Sequence, residues 1–593
     1  MDLSDKLEYI KKRLRENKPS YLAYLFTFIH FFLSFFWQRN IFKFSTDWTE
    51  WKGQGFWLTD ARQSYVNEGT ESVMVFILSR MVELVFIYLL WKIVFLFKKI
   101  SKKTLWIFGV IFFVYLAIGF FNYPQTFASM EIDNFGNYSR AIRFLPTYWQ
   151  SVYTGVFYAG SMMAIPSAFG IFFFQCLMFV SAIGYVFEKT EIYFPKRKAK
   201  YLLLFLFLLP ESYFLAFNAY RNNIYTSLCI FYFARLAFGY LKYRRGEQEK
   251  LNLFSELGFI LLTCIVIIWR SEGIILGACG IVFYIVIYKG RKLKRNLLIF
   301  ASFICVLYCM HWCQNVGSVK YYGKDYSIIN TTDVLYNIFN DSNAALDYPG
   351  VDKDLGAIEK VIPVQLLREA GMGAYRNYNW TLGHKDFNQT LVPDEVADAY
   401  MSAYYGIIFH NPADYLNVKF NYFFQSIGVN ASHKTNTYKG TVTPLENFQY
   451  NATITDPAEV YQGKFTNYWF NNRHRTLIYS VITSIITTWN SLWLNTGVKV
   501  IANVFVIFID IYILIKCFID IFENDVRKGL KKHGAFFLIF FTIIGEIVGI
   551  VLFMPEGRPQ YLYPMLFSSY IMIYLYFTVS KHMQNLKEEN KNE

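Results

Sequence analysis

No cysteine falls in the longest polar stretch of this 593-residue chain, Gln314 to Arg475. All eight (Cys176, Cys229, Cys264, Cys279, Cys305, Cys309, Cys313 and Cys517) lie in apolar runs or at their ends. No disulfide framework is therefore expected there. Cys305, Cys309 and Cys313 recur every four residues on one helical face, and they read as packing thiols rather than metal ligands. The alternation of a membrane β-barrel is also missing. So is any internal repeat, which counts against many transporter folds built from duplicated halves. No small-residue cleavage site follows the first apolar run, so the N-terminus reads as an uncleaved anchor.

What the chain has in quantity is apolar residues, 54% of the total, with a mean hydropathy of +0.24. They fall in blocks of roughly 18 to 25, the length that crosses a hydrocarbon core as a helix. The expected fold is an all-α membrane protein, a polytopic helical bundle. The net charge of +14 is carried by short clusters between apolar runs, such as Lys98, Lys99, Lys102 and Lys103, or Arg527, Lys528, Lys531 and Lys532. Short basic loops mark the cytoplasmic side of a membrane, so the charge reports topology and implies no nucleic-acid partner.

In order, residues 1–18 form a basic amphipathic segment on the membrane surface, with Leu3, Leu7, Ile10 and Leu14 on one stripe. Spans follow at about 21–37 and 73–97, separated by a loop whose Trp48, Trp51 and Trp57 suit an interface. Further spans are expected at about 104–121, 167–187 and 201–215, then, after a turn at 218–223, one that ends near 240, and others at about 254–269, 274–288 and 297–312. Residues 477–494 read as an interfacial or re-entrant helix, because a full crossing would put Arg527 to Lys532 outside. Spans at about 498–519, 535–554 and 562–579 bring the total to about twelve, with both termini cytoplasmic in a multi-pass cell-membrane protein. The division is 1–103, an N-terminal segment with two spans; 104–313, a transmembrane core; 314–475, a large extracytoplasmic mixed domain; and 476–593, the interfacial helix and last spans.

This topology gathers ionisable groups at one set of span ends. Between two apolar runs, Asn122 to Trp149 carries Glu131, Asp133, Tyr138, Arg140 and Arg143. Alone, it reads equally as a solvated loop. Arg221 comes from the turn before the sixth span, Arg270 and Glu272 from the turn after the seventh, and Glu556 and Arg558 from the turn before the last. Each by itself is more often a solvated cap than a site. Several charged groups beside hydrocarbon on one leaflet are costly and point to function. The arginine fork suits an anionic phosphate.

In these motifs and their order the chain resembles the integral-membrane glycosyltransferases of the GT-C fold, especially bacterial mannosyl- and arabinosyltransferases that use polyprenyl-phosphate sugars. The resemblance runs from about residue 104 onward. It rests on Asn122-Tyr123-Pro124 with Glu131-Ile132-Asp133 and Tyr138, on Pro210 followed by Asn218 to Asn222, on Trp269 to Gly273, and on Glu556 to Pro564. The outer Asn411 to Leu416 also looks like these proteins. Asn222 stands where relatives often have an acid. The resemblance implies a sugar presented on a polyprenyl phosphate and moved with inversion to an extracytoplasmic glycan or glycolipid acceptor, with no cofactor or metal. It implies Asp133 as the base, with Glu131 as its competitor. It implies Arg221, Arg270 and Arg558 on the donor phosphate, and Tyr138, Arg140, Glu272 and Glu556 around the substrates. A polysaccharide polymerase or ligase stays open through Arg473 and Arg475, and a lipid-linked glycan flippase through Glu546.

Overall fold

The computed structural model describes residues 18–37, 73–96, 100–121, 126–127, 151–165, 169–212, 218–244, 253–287 and 293–315. In the long polar stretch 314–475 it describes 328, 331–332, 334–339, 346–369 and 393–427, and beyond that scattered positions of 481–493, then 497–523, 526–554, 557 and 559–592. These residues are almost wholly helical. Before that stretch come α1 (Lys18–Trp37), α2 (Val73–Leu96), α3 (Lys102–Phe121), α4 (Val152–Ala164), α5 (Phe169–Tyr193), α6 (Arg221–Arg244), α7 (Leu253–Trp269), α8 (Ile274–Ile287) and α9 (Leu293–Asn315). The long polar stretch holds α10 (Val351–Glu359), α11 (Val364–Glu369), α12 (Asp394–His410) and α13 (Pro412–Ile427). The chain closes with α14 (Val498–Phe522), α15 (Val526–Phe553) and α16 (Pro559–Asn592).

Among the described residues, five segments are long and apolar enough to cross a membrane: Lys102–Gly119, Gly170–Tyr193, Arg221–Lys242, Val498–Phe522 and Lys532–Phe553. Five shorter apolar helices accompany them. The environment shows in α14, whose pattern is inside out for a helix in water. Lys499, Asn503 and Asp510 are buried, whereas Ile501, Phe505 and Phe508 are about two-thirds exposed, at 68%, 64% and 65%. Such an apolar outer face is stable against lipid and would be a large liability in water.

The centre of the bundle is α6, packed on α5 and α16; 89% of its apolar window is buried, against 28% for α14 on the rim. Tyr232, Phe233 and Ala234 are fully enclosed there, with Ile183, Phe187 and Ile571 from the neighbouring helices. The α1–α2 pair docks on α4 through His30. Trp91 Nε1 donates to His30 Nδ1 at 3.2 Å, which leaves Nε2 to donate to the Ala164 carbonyl at 2.9 Å. At the opposite ends of α3 and α5, Glu188 accepts from the Ser101 amide at 3.0 Å and the Ser101 hydroxyl at 2.8 Å, and so caps α3.

Two local features depart from the sequence expectation. The expected span at 201–215 begins instead as a 3-10 helix, Lys198–Leu208. At about 2 Å per residue its 11 residues cover roughly 22 Å, more than an α-helix of that length. Helix α4 was not anticipated. It falls between the expected spans, and its Gly160 lets Phe86 of α2 lie directly on the backbone, where a Cβ would sit 2.4 Å from the ring. The helix gives way at Ile165, just before Pro166.

Candidate functional site

Three turns meet at the N-terminal end of α6. The first is fixed by a short parallel pair, Thr126 with Asn218 and Phe127 with Ala219. This pair ties the start of the acid-bearing stretch to the residues that lead into Arg221. The second turn follows α7, where Trp269 Nε1 donates to the Arg221 carbonyl at 3.0 Å. Gly273 closes that turn, because a Cβ there would collide with the Val266 carbonyl oxygen. The third leads into α16 and contributes Tyr561.

Arg270 sits where they meet. Its backbone is extended, φ −142° and ψ 146°, which projects the side chain away from α7. Nε and Nη2 donate to the two oxygens of Glu272 at 3.1 and 2.7 Å, and Nη1 donates to Asn222 Oδ1. The guanidinium carbon lies 5.9 Å from the Tyr225 ring centroid and 5.4 Å from that of Tyr561. Burial alone would push the Glu272 carboxyl up, but the Arg270 guanidinium outweighs it and, with the charge of Arg221, holds it near 2. Burial likewise works against the Arg270 cation, and Glu272 more than compensates, so both groups stay ionised. Asn222 takes the place of the acid that the resemblance leads one to expect, and it serves as a hydrogen-bond acceptor for arginine.

Below this pair, the hydroxyl of Tyr225 donates to Glu546 Oε1 of α15 at 3.4 Å, and Glu546 is fully buried. A carboxyl group without solvent beside a charged arginine pair is where perturbed chemistry concentrates. From spacing alone Glu546 reads only as a mid-membrane charge; its contact with Tyr225 depends on how α6 and α15 pack, which spacing along the chain cannot supply.

Compared with family models, with curated proteins and with solved structures, the chain matches none. The site therefore has to be judged on its own geometry. Of the sequence-derived candidates, Arg221, Arg270 and Glu272 come together. Glu131, Asp133, Tyr138, Arg140, Glu556 and Arg558 lie outside the described residues. Among the described residues no group of three or more His, Cys, Asp or Glu side chains could hold a metal ion.

Helix α13 covers the third turn. Lys419 is buried and its Nζ donates to the Met554 carbonyl at 2.8 Å, at the C-terminal end of α15. Tyr415 donates to the Leu552 carbonyl at 2.8 Å. These donors satisfy carbonyls that the end of a helix leaves open. Gly557 is pressed against α13, where a Cβ would stand 2.6 Å from Gln425 Oε1 and 2.8 Å from the Tyr422 carbonyl.

Burial pushes the Lys419 amine down from its ordinary 10.5 to about 7. Between those values the unfolded chain binds the additional proton, so stability rises with pH across that window and is flat below it. Thermal unfolding across this range should show the slope in the wild type and a flatter profile in Lys419→Met. An equal slope in both proteins would remove Lys419 as its source.

Proposed function

We propose that the chain is a polytopic membrane glycosyltransferase of about twelve spans, with both termini cytoplasmic. It moves a sugar from a polyprenyl-phosphate donor to an extracytoplasmic glycan or glycolipid acceptor. The observation that carries this reading is the buried Arg270 fork, fixed by Glu272 and Asn222 between two tyrosine rings at the meeting of three turns. A pre-positioned cation with a second one, Arg221, acting on the same carboxylate is suited to an anionic leaving group. The acceptor hydroxyl attacks the anomeric carbon, the bond to the phosphate oxygen breaks, and a carboxylate takes the hydroxyl proton. Asp133 is the proposed base and Glu131 its competitor. Arg558 joins the phosphate, and Tyr138, Arg140, Glu272 and Glu556 surround the substrates.

Removing the protein from its cell tests this directly. A lipid-linked sugar or glycan should accumulate, and an unchanged lipid-linked pool would sink the reading. The outer face is checked separately in a cysteine-free background. A membrane-impermeant thiol reagent applied outside should modify Ser432→Cys and spare Lys528→Cys. Labelling of Lys528→Cys would overturn the shared outer face.

A second reading, transport of a lipid-linked glycan, is favoured by acids buried within long helices. Glu83 of α2 is fully buried and paired with Arg80 at 2.7 Å, and Asp510 and Glu546 are fully buried in α14 and α15. Intramembrane acids mark substrate or ion pathways.

A further inference from the structure

The buried face of α14 carries Lys499, Asn503 and Asp510 in register, at intervals of four and seven residues, against α15 and α16. Near the start of the helix, Lys499 Nζ is 3.4 Å from Glu211 Oε1, which also accepts from Trp493 Nε1 at 3.0 Å. Asp510 sits at the centre of the 25-residue helix and is fully buried. Neither of its carboxylate oxygens has a hydrogen-bond partner among the described residues, and Ser569 of α16 is the polar side chain that acts on it. Lys499 is eleven residues away, roughly 16 Å along the helix, and is engaged with Glu211. Among the described residues, Glu211, Tyr563 and Tyr570 also border the seam: the Tyr563 ring centroid is 5.6 Å from Lys499 Nζ, and Tyr570 feels Lys499, Glu211 and Asp510 together.

An ionised carboxylate left alone in this interior costs several kcal/mol, and no cationic side chain among those that act on Asp510 offsets it. The missing positive charge has to come from outside the chain. We propose that Asp510 is a binding site for a small monovalent cation, a proton or Na⁺, reached along the seam between α14 and α16. Lys499 and Glu211 pair at the start of the same buried face, and Ser569 supplies a hydroxyl beside the bound cation. The site is separate from the Arg270 cluster and does not depend on what that cluster transfers.

The test uses the full-length protein in lipid nanodiscs. Thermal unfolding is followed while NaCl replaces choline chloride at constant ionic strength, and infrared difference spectra are taken across a pH series. If Na⁺ is the ligand, Tm rises by a few degrees with Na⁺, because a ligand of the folded state stabilises it. If a proton is the ligand, a buried carboxyl band titrates and Na⁺ has no effect. Either response should be lost in Asp510→Asn, which keeps the side-chain shape and removes the charge. Should that variant not fold, Ser569→Ala decides, since removing the neighbouring hydroxyl should shift the midpoint of the wild-type response. The proposal is overturned if the wild type responds to neither cation, if Asp510→Asn responds unchanged, or if Ser569→Ala leaves the midpoint where it was.

Discussion

Arg270→Ala is expected to be the most damaging single substitution in the chain. It strands Glu272, whose side chain is 18% exposed, without the fork that neutralises it. Breaking a buried pair on one side costs about 3–5 kcal/mol, because the remaining charge keeps its desolvation penalty. It also removes the donor to Asn222 Oδ1 and the cation between Tyr225 and Tyr561. Arg270→Lys keeps the charge but cannot reach both Glu272 oxygens and Asn222 together, so partial recovery is expected. A third variant separates stability from chemistry. Arg270→Met with Glu272→Leu removes both charges at similar volume and should restore much of the thermal stability while leaving transfer abolished. Measured side by side, unfolding and transfer should dissociate in the double variant alone. Normal transfer in that variant would show that the pair only holds two turns together.

Asp133→Asn carries the second large effect, and it is kinetic. Phe127 pairs beside Ala219, two residues before Arg221, and Asp133 follows Phe127 by only six residues. A chain of that length can reach the Arg270 end of α6. If Asp133 takes the acceptor proton, the amide should fold and bind yet lose roughly 10²–10⁴-fold in rate. Glu131→Gln should cost far less, since neighbours two apart do not occupy one spot equally. A merely structural acid that caps a helix gives the opposite pattern, a loss of about 1 kcal/mol in stability with turnover kept. Turnover of variants matched for folded protein decides between them. Loss in Glu131→Gln alone would move the role two residues upstream.

The helical class and most helix positions could be read from runs of apolar residues, because a bilayer imposes length and hydropathy directly. Arg221, Arg270 and Glu272 stood out for a related reason: charges at the ends of such runs are few, and the expected topology puts them on one side. That Arg270 is committed to Glu272 and Asn222 was not legible, since it depends on the Gly273 turn and on the Trp269 contact to Arg221. The polar stripe of α14 was hidden by averaging. A window rich in Ile and Phe outweighs Lys499, Asn503 and Asp510, although their helical spacing was available. Helix α4, at 13 residues, is too short to read as a span, and Phe86 lying on Gly160 shows only in the fold. The contact of Trp493 with Glu211 joins residues 282 apart in sequence, and no local pattern announces it.

The most direct measurement of the central claim is transfer by the purified wild-type protein in nanodiscs supplied with a panel of polyprenyl-phosphate sugars and candidate glycan or glycolipid acceptors. The expected result is loss of sugar from one donor and its appearance on an acceptor with inverted anomeric configuration, abolished by the Arg270→Met, Glu272→Leu double variant. The contradicting result is folded protein that consumes no donor from the panel and yet carries a lipid-linked glycan across the bilayer of a proteoliposome.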